Sequence, residues 1–313
     1  MDVRHIGSLE VSILGLGCND FGLTLDEAQA TRIVHGAVDA GVTYFDTAEA
    51  YGSGQSEQFL GRALGSRRDR VVIATKWGAR GSGEGGLAPG DPAWVRIAVE
   101  RSLDRLGVDC IDHYQLHYFD PDTPLEDTLG ALNELVAAGK VRELGCSNFP
   151  ADQLLAAFEI TEREGWAPFR TVQNRYSVMT RTPETDGTLA ACAATGAALV
   201  PYFPLELGML TGKYSPEDPV PEGSRRARWD PAVTQRFYTD DKIRMAGELQ
   251  RFARDRGHDV VELALSWLAQ NPLVATVIAG ASKPEQVEAN SRLLGWVLTD
   301  EERAAVDRIV APA

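Results

Sequence analysis

The chain has 313 residues, 44% hydrophobic and 24% charged, which is ample material for a packed core. Its 31 Lys and Arg against 45 Asp and Glu leave a net charge of −14, a surface that would repel a nucleic-acid backbone. No run is long and apolar enough for a membrane span, the N-terminal MDVRHIGSLEV lacks the apolar core of a signal peptide, and Cys18, Cys110, Cys146 and Cys192 stand singly without metal-ligand spacing. The expectation is a cytoplasmic protein with reduced thiols, no metal, and neither nucleic acid nor membrane as partner.

Taken in chain order, strand-like residues 3–6 and 10–13 flank Gly7-Ser8 and predict a hairpin, followed by a strand at 13–16. A helical pattern over 26–40 stops at Gly41 and leads into YFD at 44–46; another over 56–64 leads into VVIAT at 71–75. The helix at 92–106 stops at Gly107 before IDHYQLH at 111–117, and the helix at 125–138 stops at Gly139 before VRELGC at 141–146. Three more strands follow, at 170–174, 197–202 and 274–280, each after a helix-like segment. Strands regularly followed by helices mean parallel strands with helical crossovers. Eight such units, with no glycine-rich fingerprint after the first strand, favour one closed (β/α)8 barrel over residues 1–313, its bottom plugged by the hairpin. Two pieces fall outside this rhythm. Residues 213–239, rich in proline and arginine, predict a long loop over the opposite face, and residues 299–310 a terminal helix.

Barrel enzymes gather their chemistry where strands end. Asp46 ends the second strand and Tyr51 follows it; Lys76 ends the third and His117 the fourth. Convergence of these ends would bring a carboxylate, a phenol, an ammonium and an imidazole into one cleft. A lysine at the end of an apolar strand needs a partner, and Asp46 would supply it. Reducing a carbonyl by hydride transfer puts negative charge on oxygen, so a nearby acid must deliver a proton. A phenol of pKa ~10 suits that task better when a close Lys⁺ lowers its pKa. His117 would position the carbonyl or relay the proton.

The segments FDTAEAYGSGQSEQFLGRAL (45–64), ATKWG around Lys76 and LHYFDPDTPLEDTL from Leu116 resemble the aldo-keto reductases. So do VRELGCSNF (141–149), VQNRYS (172–177), YFPLELGMLTGKY (202–214) and GASKPEQVEAN (280–290), in register from Leu14 to Asn290. The resemblance implies a (β/α)8 barrel that binds NADP(H) extended, with the catalytic tetrad Asp46, Tyr51, Lys76 and His117. It also implies Cys18 and Asn19 near the nicotinamide ribose, with Ser147, Asn148 and Gln173 on the carboxamide. Tyr202 would stack on the ring, and Phe203, Pro204, Leu205 and Leu207 would run along the pyrophosphate with Lys213 as charge partner. Arg225 or Arg226 would join them. Gly280, Ser282 and Lys283, at the start of a helix opened by Pro284, match the grip on an adenosine 2′-phosphate, with Gln286 and Asn290 further along. NADPH is therefore expected over NADH, although a lone lysine is a point charge rather than a bidentate clamp, and NADH stays open. Phe21, Trp77 and Tyr118, beside the catalytic positions, would wall an apolar substrate pocket.

The expected activity is reduction of a small aldehyde or ketone, reversible in principle. Three alternatives stand beside it: oxidation of a sugar or polyol, a non-catalytic nicotinamide-binding subunit like the potassium-channel β subunits of that family, and an unrelated barrel lyase or isomerase.

Overall fold

A computed structural model of the chain describes residues 1–214, 222, 225–228 and 230–311. Two antiparallel strands open it, β1 (Val3–Ile6) and β2 (Leu9–Ser12), paired from Val3↔Ser12 to Ile6↔Leu9 across the Gly7-Ser8 turn. Gly7 has φ +54, and a Cβ there would come within 2.5 Å of the Glu143 carboxylate, whose Oε1 accepts the Ser8 N–H. Only glycine fits.

Eight parallel strands follow: β3 (Leu14–Gly17), β4 (Tyr44–Asp46), β5 (Val72–Trp77), β6 (Ile111–Leu116), β7 (Val141–Ser147), β8 (Phe169–Gln173), β9 (Ala198–Leu199) and β10 (Val277–Gly280). They lie in the order β10-β3-β4-β5-β6-β7-β8-β9, and bridges Leu199↔Val274 and Tyr202↔Ile278 close the ring. Helices α1 (Glu27–Asp39), α2 (Gln55–Leu64), α3 (Pro92–Leu106), α4 (Leu125–Ala137), α5 (Ala151–Glu164), α6 (Thr182–Thr185) and α7 (Thr188–Thr195) connect the earlier strands. The later helices are α8 (Arg225–Arg228), α9 (Pro231–Phe237), α10 (Asp240–Arg254), α11 (Val260–Ala269), α12 (Pro284–Arg292) and α13 (Asp300–Val310). The glycines that signalled helix ends do end them: Gly107 caps α3 in the left-handed conformation (φ +66), while Gly41 (φ +83) and Gly139 (φ +72) follow α1 and α4.

The hairpin seats Ile6, Leu9 and Val11 against Tyr44 and Val72, the first residues of β4 and β5, and so plugs the N-terminal end of the barrel. Arg4 anchors it, its guanidinium donating to the carbonyl of Ala269, the last residue of α11, and to those of Asn271 (3.0 Å) and Val274 beyond it.

The predicted strand 197–202 is shorter than expected. Pro201 has no N–H, so the ladder gives way to single bridges there, although its carbonyl still accepts the Ile278 N–H at 3.1 Å. Segment 213–239 is not simply a loop, since α8 and α9 lie within it, the latter opened by Pro231 in the first helical turn, where a missing N–H costs nothing. Among the described residues no helix is long and apolar enough to cross a membrane, and no cluster of His, Cys, Asp and Glu could hold a metal ion.

Candidate active site

The C-terminal strand ends surround a cleft of about 520 Å³. Asp46 is the last residue of β4, Lys76 the penultimate residue of β5, and His117 directly follows β6. Tyr51 opens the short turn Tyr51–Gly54 between β4 and α2. These four, far apart in sequence, come together. Lys76 is wholly buried, and its Nζ donates to Asp46 Oδ2 (2.7 Å), the Thr47 carbonyl (2.9 Å) and the Tyr51 hydroxyl (3.4 Å). The His117 ring meets Tyr51 edge-on at 6.0 Å and stacks on Tyr118 at 5.0 Å.

Electrostatics follow from that packing. Burial acts to lower the Lys76 pKa, but Asp46 and Tyr51 more than offset it and hold the ammonium charged. The Tyr51 phenol departs from the sequence expectation. Burial raises its pKa and outweighs the lowering by Lys76, so the hydroxyl keeps its proton. His117 is pushed down to about 3 by burial first and the Lys76 charge second, giving a neutral imidazole whose buried Nδ1 has no partner.

Beneath the tetrad lies a polar layer that sequence reasoning saw only in part. Asp46 Oδ1 accepts from Gln173 Nε2 at 2.9 Å and from Gln115 Nε2 at 3.4 Å, and Gln173 also donates to Gln115 Oε1 at 3.3 Å. The carboxylate is thus held on both oxygens. Gln115 was missed; its place on β6 beside Lys76 in the register was the available signal. Asp20, Gly17, Thr211 and Ala281, which also line the cleft, were missed as well.

Most residues expected at the coenzyme line the cleft: Asn19, Ser147, Asn148, Gln173, Tyr202 to Leu205, Leu207, Lys213, Gly280, Ser282 and Gln286. Gly280 of β10 pairs with Gly17 of β3, close to Asn19. Asn148 is fixed by its neighbours: Nδ2 donates to the His117 carbonyl and Ser147 Oγ, both at 3.1 Å, and Oδ1 accepts the Tyr202 hydroxyl at 2.8 Å. Asn148, Phe203, Glu206 and Leu207 all have positive φ, a costly backbone for non-glycine residues that clusters where ligands are held. Buried Glu206 anchors the loop: Ser177 Oγ and Arg175 Nη2 donate to it at 2.5 Å, and Lys242 of α10 lies 3.8 Å away.

Of the residues expected at the coenzyme or substrate, Cys18, Phe21, Trp77, Asn290 and Lys283 lie off the cleft wall, as does the buried Lys76 behind Asp46 and Tyr51. Cys18 is fully buried, its thiol directed to the Leu16 carbonyl. Phe21 and Trp77 have no exposed surface and belong to the core, Trp77 stacked on Tyr114 at 4.4 Å. Alternation along β5 explains Trp77: with Lys76 directed into the barrel, its neighbour faces the helices. Asn290 is buried one turn beyond Gln286 on α12. Tyr118 does line the cleft, with the Arg80 guanidinium 4.8 Å from its ring. Lys283 is exposed at the N-cap of α12. The side chain of Arg225 lies outside the described residues, whereas Arg226 sits over the Tyr238 ring at 5.6 Å.

A long ligand with a flat ring and anionic groups fits this wall. The Tyr202 ring borders the cleft near the tetrad, and Lys213 and the N-terminus of α12 supply positive potential further along. There the Ser282 N–H and Oγ both donate to Gln286 Oε1 (2.7 and 3.1 Å), an internal acceptor standing where a ligand oxygen could bind.

The aldo/keto reductase family profile matches residues 13–311. The chain is 33% identical to aldo-keto reductase YhdN of Bacillus subtilis over 309 residues, 96% of this chain and 91% of that one. It is 33% identical to a probable voltage-gated potassium channel subunit beta of Oryza sativa over 322 residues, covering 99% of this chain and 96% of the relative. A glycerol dehydrogenase structure from Gluconobacter oxydans superposes with a TM-score of 0.83 at 31% identity, covering 100% of this chain and 97% of that one. The chain belongs to the aldo/keto reductase family. It is an NAD(P)H-dependent oxidoreductase acting on carbonyl and alcohol groups.

Proposed function

We propose that the protein reduces an aldehyde or ketone to an alcohol with NADPH, and that Tyr51 gives the proton. One observation carries this reading: the Tyr51 hydroxyl sits on the cleft wall 3.4 Å from a buried ammonium that Asp46 keeps paired. A nicotinamide held in the cleft would supply the hydride for the carbonyl carbon. Tyr51 transfers its proton to the carbonyl oxygen as charge develops there, and Lys76 stabilises the phenolate left behind. Asp46, held by Gln173 and Gln115, keeps Lys76 charged and aimed. With a pKa of about 3 His117 is a neutral imidazole with no imidazolium proton to give near neutral pH, yet its N–H can donate a hydrogen bond, so its part is to position the carbonyl.

Asn19, Ser147, Asn148, Gln173 and Tyr202 would hold the nicotinamide half, the 203–207 loop and Lys213 the pyrophosphate, and Ser282, Lys283 and Gln286 the adenosine end. Lys283 beside a helix N-terminus supports NADPH over NADH. Four unpaired cysteines support a cytoplasmic setting. The test is coenzyme consumption with 4-nitrobenzaldehyde, using NADPH and NADH, in wild type and Lys283→Ala. Turnover favouring NADPH, with the preference narrowed by Lys283→Ala, is expected; an NADH preference in the wild type overturns the coenzyme assignment. Binding of NADPH without turnover of any aldehyde, ketone or polyol would instead favour a regulatory role such as the potassium-channel relative's name describes.

A further inference from the structure

The turn that carries Tyr51 has an unusual backbone. Gly52, Ser53 and Gly54 have φ of +54, +53 and +89, three left-handed residues in succession directly after the phenol. Such a turn persists only where its surroundings over-determine it. Gly52 lies against the Phe21 carbonyl, where a Cβ would come within 2.7 Å, and Gly54 lies against the Arg105 side chain, where a Cβ would come within 2.8 Å of Cδ.

What fixes Arg105 there is Glu57, in the first turn of α2. Glu57 has no exposed surface, yet its carboxylate accepts from Arg105 Nε and from Thr75 Oγ1, each at 2.6 Å. Thr75 immediately precedes Lys76 on β5. The preceding residue, Ser56, reaches the other side: its hydroxyl donates to the Cys18 carbonyl at 2.8 Å and shares a hydrogen bond with Thr47 Oγ1 at 2.7 Å. Thr47 follows Asp46, and its carbonyl accepts from Lys76 Nζ. Glu49 adds a third tie, its N–H donating to the Lys76 carbonyl at 2.9 Å and its carboxylate accepting the Gly78 N–H at 2.9 Å. The helix start following Tyr51 is therefore fastened to both residues that neighbour the Asp46–Lys76 pair.

We infer that Glu57 is a positioning residue for the proton donor: through Thr75 and Arg105 it sets the separation between the Tyr51 hydroxyl and Lys76 Nζ. It touches neither substrate nor coenzyme. A purely structural ion pair would influence stability alone, whereas this one influences the acidity of Tyr51 through its distance from Lys76. The inference rests on the reading of Tyr51 as proton donor.

Three readouts test it in the purified full-length enzyme with NADP(H): the single-turnover rate of aldehyde reduction, coenzyme Kd, and the pH dependence of alcohol oxidation, which requires the phenolate. Glu57→Gln should slow reduction roughly 10- to 100-fold, the scale of a sub-ångström to ångström misplacement. Coenzyme Kd should stay at the wild-type value, and the alkaline limb of oxidation should move to higher pH as Lys76 loses its hold on Tyr51. Glu57→Asp should recover part of the rate. A folded Glu57→Gln variant with wild-type rate and limb overturns the inference, as does a rate loss that merely tracks the unfolded fraction. Should Glu57→Gln fail to fold, Thr75→Val leaves the Glu57–Arg105 pair intact and must still shift the limb upward; an unshifted limb overturns the inference. Tyr51→Phe run alongside separates the two claims. If it retains turnover, the proton-donor reading fails and the positioning role with it; if it is inactive while Glu57→Gln behaves as wild type, only the positioning role falls.

Discussion

Lys76 is an ammonium with no exposed surface, and it survives there because three oxygens surround it. Removing one partner of a buried pair strands the other, a loss of about 3–5 kcal/mol, whereas neutralising both is far milder. Lys76→Met should therefore lower stability in urea by about that amount, and Asp46→Asn/Lys76→Met should recover much of it. Strictly additive losses would contradict the pairing. His117 makes a second residue-scale prediction. With its pKa near 3, the reduction rate should show no titration step between pH 5 and 8 that disappears in His117→Gln. A step that does so would mean the imidazole carries a proton during turnover. The convergence of Asp46, Tyr51, Lys76 and His117 was legible in the sequence, because three of them mark strand ends that hydrophobic runs and helix-stopping glycines locate and Tyr51 follows the first of these in a turn. Trp77 was misread because adjacency in sequence was taken for adjacency in the cleft, and strand alternation turns neighbours apart. Glu57 and Glu206 gave no sequence signal: their partners are distant, as with Arg105, 48 residues from Glu57, and Arg175, 31 from Glu206.

Among the elements, the strained loop after β9 depends most on its surroundings. Phe203, Glu206 and Leu207 hold left-handed backbone, and Leu207 accepts the Tyr238 hydroxyl through its carbonyl at 2.7 Å. Glu206 ties the same loop to the segment following β8 and to α10. Glu206→Gln should therefore weaken NADPH binding and speed its release while leaving the chemical step at saturating coenzyme nearly intact. Stopped-flow coenzyme dissociation checks this, and an unchanged off-rate would refute it. Segment 213–239 was read as a loop because prolines and arginines obscure periodicity, yet Pro231 opens a helix rather than breaking one.

At the level of the whole barrel, the two ends have separate duties. The hairpin buries Ile6, Leu9 and Val11 at the N-terminal end, while the tetrad occupies the C-terminal end. Leu9→Ala should cost about 2–5 kcal/mol in unfolding free energy, yet leave kcat near wild type at 25 °C. Loss of rate in the folded variant would show the ends coupled. The barrel and its closing hairpin were legible because alternation of strands and helices has few solutions; strand limits shifted by one or two residues, and by three at the end of β9, where Pro201 interrupts the ladder, and at the start of β10, which begins at Val277 rather than Val274.

The proton donor is tested most directly by Tyr51→Phe, measured as the single-turnover rate of 4-nitrobenzaldehyde reduction by bound NADPH beside the coenzyme Kd. Loss of the hydroxyl should slow reduction by about 10²–10⁴ while coenzyme affinity is kept. Turnover close to wild type would contradict the account.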